Sequence, residues 1–109
     1  MAAIEAQADG VLKVSGELTF SSVSALLAES LSYFKSQDEL QIDLAGVAHS
    51  DTAGVALLVE WMRMAKQRDA PLFFSNIPEQ MWAIIDVSDL GKRLPLLNQN
   101  EPLSGNQGL

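Results

Sequence analysis

Residues 40–58 read LQIDLAGVAHSDTAGVALL, and the join at Asp51-Thr52-Ala53-Gly54 decides how the chain folds. Before the join, Leu40, Ile42 and Leu44 alternate with Gln41 and Asp43, the two-residue period of a half-buried strand over 40–44. After it, an apolar pattern with helical spacing runs from about Val55 to Arg68. A hydroxyl residue where a strand gives way to a helix can do one of two things. It can cap the helix by accepting from orphan backbone N–H groups. It can instead present its oxygen where a partner docks or a phosphate is placed, because a helix N-terminus favours negative charge. Thr52 is open to both roles, and Asp51 competes with it as the cap.

Working outward, Asp9-Gly10 separates Ile4–Ala8 from Val11–Gly16 and predicts a hairpin with a two-residue loop. In the second arm Leu12, Val14 and Gly16 share one face, and Lys13 and Ser15 the other. Ser21 or Ser22 caps a helix whose stripe is Val23, Leu26, Leu27, Leu31 and Phe34. Ala70-Pro71 ends the helix that follows Thr52, and Leu72-Phe73-Phe74 reads as a short, fully buried strand. Pro78 and Glu79 suit the first turn of a third helix carrying Met81, Trp82, Ile84 and Ile85 and ending near Val87 or Ser88. Leu94–Leu97 is a candidate edge strand, since proline is tolerated there, and the aperiodic polar run 98–109 predicts a flexible tail. The order ββαβαβα gives a single α/β domain over residues 1–97, a sheet with helices packed on it.

A chain of 109 residues can bury a real core, and 48% hydrophobic with 19% charged residues is a globular composition. Seven basic against fourteen acidic residues leave a net charge of −7, which argues against nucleic acid or an anionic membrane surface as the main partner. There is no cysteine, hence no disulfide framework and no thiolate metal site. Met1-Ala2-Ala3-Ile4-Glu5 lacks the basic start of an export signal, and Glu60 cuts the richest apolar stretch far short of a membrane span. The expectation is a cytoplasmic protein without direct membrane insertion.

Signatures of enzymes are weak. Phosphate-loop, dinucleotide-binding and nucleophile-elbow patterns are absent from the sequence. His49-Ser50-Asp51 invites a hydrolase reading, but three consecutive side chains diverge, whereas a catalytic triad converges from separate segments. One histidine and no cysteine also argue against a transition-metal site, so neither metal nor cofactor is expected.

The helix after Thr52 carries two apolar stripes. Val55, Leu58, Val59, Met62 and Ala65 suit packing on the sheet, while Leu57, Trp61 and Met64 lie on a largely different side. The second stripe needs a cover: either the chain itself, through the loop around Leu90 or the third helix, or a partner.

Taken together, the strand, the Asp51-Thr52-Ala53-Gly54 join, the apolar helix and the earlier Gly16-Glu17-Leu18 run resemble the STAS domain, the fold of bacterial anti-sigma factor antagonists. The likeness covers about Ile4 to Leu97. It implies a mixed four- to five-stranded sheet with helices packed on it, and function by docking rather than catalysis. Within the family, Gly16-Glu17-Leu18-Thr19-Phe20 and Asp51–Leu58 are most similar to the small STAS subunits of Mla-type phospholipid-transport ABC complexes. That resemblance implies a subunit bound to the transporter ATPase, and through it to the membrane permease, supporting maintenance of outer-membrane lipid asymmetry. The partner-binding residues expected are Asp51, Thr52, Ala53, Leu57, Trp61 and Met64. The alternative it implies is an anti-sigma antagonist whose kinase partner phosphorylates Thr52; with Ala53 next in line, only Thr52 offers that hydroxyl.

Overall fold

The computed structural model describes residues 2–88, arranged as a four-stranded sheet and three helices. The strands are β1 (Ala3–Ala6), β2 (Val11–Leu18), β3 (Leu40–Ser50) and β4 (Leu72–Ser75), side by side in that order. β1 runs antiparallel to β2, whereas β2, β3 and β4 are mutually parallel. The parallel steps are made by crossover helices α1 (Val23–Ser36) and α2 (Thr52–Gln67), and α3 (Glu79–Ser88) follows β4. The candidate strand at 94–97 and the tail at 98–109 lie outside the described residues.

The Asp9-Gly10 signal marks the hairpin, but the loop is one residue longer than expected. Gln7 N–H still pairs with Val11 O at 2.8 Å, Gly10 N–H closes a turn onto Gln7 O at 3.0 Å, and Gly10 takes φ +90°. That is a three-residue loop in which glycine supplies the left-handed residue.

β3 is much longer than the alternation over 40–44 predicts. The step Lys13–Ser15 on β2 faces Asp43–Gly46 on β3, and Gly16–Glu17 faces Val47–His49, so β3 carries an extra residue at each place. Each bulge turns the strand over. Buried positions therefore run Leu40, Ile42, Leu44, then Val47, then Ser50. Glycines allow this: Gly16 sits at φ +92°, and a Cβ on Gly46 would come within 3.0 Å of Ser15 Cβ and Val14 O.

One face of the sheet supplies Ile4, Leu12, Val14, Leu40, Ile42, Leu44, Leu72 and Phe74 to the core. Phe73 points the other way and is only half-buried, so β4 is not the fully buried strand its sequence suggests. α1 packs beside α2, and α2 beside α3, over the core. On α1 the buried line is Leu26, Ser30 and Phe34, while Leu31, expected in the stripe, is 44% exposed. Ser22 does not cap α1 in the usual way: its Oγ accepts from Thr19 N–H at 3.0 Å and donates to Glu17 O at 2.7 Å.

α2 buries Gly54, Val55, Leu57, Leu58, Trp61 and Ala65. At about 100° per residue these form one arc roughly 160° wide, so the two stripes are flanks of a single face. Within the second stripe, Trp61 is covered by α1. The Trp61 ring stacks on Phe34 with centroids 6.3 Å apart, and its Nε1–H donates to Ser30 Oγ at 2.8 Å. Ser30 Oγ in turn donates to Leu27 O at 2.7 Å, so this buried polar pair is satisfied. Leu57 at 3% and Trp61 at 0% exposure belong to the core and offer nothing to a docking partner. Both were expected among the partner contacts, and their burial leaves them out of the exposed surface of α2.

Candidate partner-docking site

The loop between β3 and α2 is fixed by three anchors. Asp51 N–H donates to Leu18 O at 3.1 Å, which closes the end of the β2–β3 ladder. Ser50 N–H donates to Gln80 Oε1 at 2.7 Å, tying the loop to the first turn of α3. Asp51 Oδ1 accepts from Ala53 N–H at 2.8 Å, with extended backbone at φ −113° and ψ −165°, which makes Asp51 the N-cap of α2.

Capping therefore falls to Asp51, leaving Thr52 as the first helical residue. Thr52 is exposed, and its hydroxyl makes no hydrogen bond among the described residues. Gly54 completes the motif for a steric reason. A Cβ there would collide with Ser50 Oγ and lie 2.9 Å from Leu18 Cβ, so only glycine lets the first turn of α2 sit against the ends of β2 and β3.

Of the other expected contacts, Asp51 and Ala53 lie beside Thr52 and are half-buried, and Met64 is half-buried further along α2. The exposed line on α2 begins at Thr52 and continues through Ala56, Val59 and Arg63, at intervals of four, three and four residues. Val59, expected in the sheet-packing stripe, is 37% exposed. Beyond it Arg63 Nη2 pairs with Glu60 Oε2 at 2.6 Å, and that hydrogen bond, then the carboxylate charge, push the guanidinium pKa up.

Sequence reasoning also passed over Phe20, which is 85% exposed in the loop between β2 and α1. The signal was present, since a phenylalanine between Thr19 and Ser21 belongs to no stripe. Ser50 is buried with its Oγ donating to Asp51 O at 3.0 Å, and Asp51 is occupied with Ala53 N–H, so His49, Ser50 and Asp51 do not converge as a triad.

A family model described as "Mlab, STAS domain" matches residues 1–98. The chain belongs to the STAS family. Its mixed four-stranded sheet and three helices are thus those of the STAS fold. Among solved structures, a chain of the Acinetobacter MlaFEDB complex in an ATP-bound state is 31% identical, with a TM-score of 0.76, covering 87% of this chain and 99% of that one. An anti-sigma factor antagonist from Mycobacterium paratuberculosis shares the fold at 22% identity, TM-score 0.70, covering 92% of this chain and 86% of that one. The Bacillus cell fate determinant SpoIIAA in its phosphorylated form does so at 16% identity, TM-score 0.65, covering 98% and 100%. No curated protein matches the chain. Among the described residues, no helix is long and apolar enough to cross a membrane.

Proposed function

We propose that this STAS domain is a non-enzymatic subunit that docks on the ATPase of a phospholipid-transport ABC complex and supports its assembly or activity. Through the ATPase it would sit at the cytoplasmic face of the inner membrane beside the permease, serving outer-membrane lipid asymmetry. The observation that carries the reading is the 31% identity over 99% of a chain in the Acinetobacter MlaFEDB complex. The contact surface proposed is Thr52 with Asp51 and Ala53 at the helix start, extended along Ala56 and Val59 and bordered by Met64. Small side chains on a rigid helix give a shallow surface that needs no rearrangement to bind.

The test is titration of the purified chain against the ATPase encoded in the same genome, with ATP hydrolysis measured in parallel. The wild type binds and supports hydrolysis. Thr52→Trp, which blocks the surface without touching the core, lowers affinity at least tenfold, about 1.4 kcal/mol, with an unchanged melting temperature. A wild-type chain that neither binds the ATPase nor alters its hydrolysis sinks the reading.

One observation favours a second reading, an antagonist switched by a kinase: the Thr52 hydroxyl has no hydrogen bond among the described residues and stands at a helix N-terminus, which stabilises an added phosphate. The adjacent Asp51 carboxylate opposes that charge. Intact mass after incubation with cell extract and ATP separates the two, since stoichiometric phosphate on Thr52 belongs only to the switch.

A further inference from the structure

We infer that Phe20 is an anchor of the docking surface, and that the partner receives it in an apolar pocket rimmed by basic side chains. The inference rests on the docking reading above and deepens it. At 85% exposure Phe20 stands far apart from the other exposed large apolar residues, Leu31 at 44% and Val59 at 37%. It is not on a loose tip. Thr19 N–H bonds Ser22 Oγ, the hydroxyls of Thr19 and Ser21 lie 3.2 Å apart, and Ser22 and Val23 N–H both donate to Thr19 O. An aromatic ring held on a rigid turn loses little freedom when it is buried by a partner, as hot-spot residues do.

Its place in the fold joins it to Thr52. Leu18 and Ser50 are partners in the parallel ladder; Phe20 lies two residues past one, and Thr52 two past the other. Both loops thus leave the same end of the sheet. Charge sets the chemistry of the rim. Glu17 and Asp51 flank these loops and Glu79 opens α3, which Gln80 ties to the same end. Lys35, Lys66 and Arg68 sit at the far ends of α1 and α2, so no lysine or arginine among the described residues lies in the three loops at this end. An acidic rim about an apolar anchor fits a basic protein surface and repels an anionic lipid surface.

The test uses the full chain and the same ATPase, comparing wild type, Phe20→Ser, Phe20→Leu and Thr52→Trp by calorimetric titration at low and high salt. Phe20→Ser is expected to weaken binding about ten- to a hundredfold, Phe20→Leu to recover most of the loss, and affinity to fall as salt rises. Melting temperatures stay unchanged, since Phe20 contributes nothing to the core. Wild-type affinity in Phe20→Ser, with binding lost in Thr52→Trp, overturns the anchor and leaves the docking reading intact. Absence of binding by the wild type overturns both. Affinity independent of salt overturns the basic rim. Two other occupants are also excluded or found. If Phe20→Ser abolishes binding to vesicles of phosphatidylethanolamine and phosphatidylglycerol, or dissociates a dimer of this chain, while leaving the ATPase titration unchanged, the assignment is wrong.

Discussion

Asp51 and Thr52 are neighbours with a carboxylate and a hydroxyl, and either could cap α2, yet only Asp51 does. Asp51→Ala frees the Ala53 N–H and is expected to cost about 1 kcal/mol of stability. Thr52→Ala removes a group with no bond among the described residues and is expected to change stability by less than about 0.5 kcal/mol. Urea titration of both variants checks the pair, and a larger loss for Thr52→Ala would return the capping role to the hydroxyl. Which residue caps was not legible in the sequence, because both types are good caps and the choice depends on how far β3 runs. The role of Gly54 was equally hidden: its neighbours, Ser50 and Leu18, come from two different strands.

Elements were legible where one period persists and illegible where it breaks. The alternation of Leu40, Ile42 and Leu44 marks β3, but two bulges reset its phase, so residues 45–50 read as loop although they continue the strand. Helix α2 shows the complementary failure. Its two stripes were visible, but a pattern within one helix does not say which neighbour covers it, and Ser30 on α1 gave no apolar signal. Because Trp61 lies in that seam, Trp61→Ala is expected to cost about 3–5 kcal/mol. Ser30→Ala, which leaves the buried indole N–H without its acceptor, costs about 1–3 kcal/mol. Chemical denaturation measures both. A Trp61 variant with wild-type stability and impaired ATPase binding would put the side chain back at an interface.

At the scale of the molecule, the order of elements and the STAS resemblance were readable because each crossover helix announced itself between strands. The helices and the sheet face beneath them make the core, while on the other face Glu5 faces Lys13 and Lys13 faces Asp43 across the strands. Alternating charge suits a solvated sheet face. Asp43 Oδ1 also accepts from Asn76 Nδ2 at 3.0 Å and Ala45 N–H at 2.9 Å, holding the turn after β4 against β3. The end of the sheet that carries Phe20 and Thr52 is different in kind, since it is assembled from three loops that only the finished fold brings together.

The bond from Ser50 N–H to Gln80 Oε1 gives that assembly a clock. β4 pairs with β3 only from Leu40 to Asp43, so further along β3 a glutamine side chain from α3 does what a strand would otherwise do. In native-state hydrogen exchange, the Ser50 amide should therefore open with α3, while the Asp51 amide, bonded to Leu18 O, opens with the sheet. In Gln80→Ala, exchange at Ser50 is expected to accelerate about tenfold, the equivalent of about 1.4 kcal/mol, with Asp51 unchanged. Any event that loosens α3 would then register at Ser50, at the end of β3, and stop at Asp51.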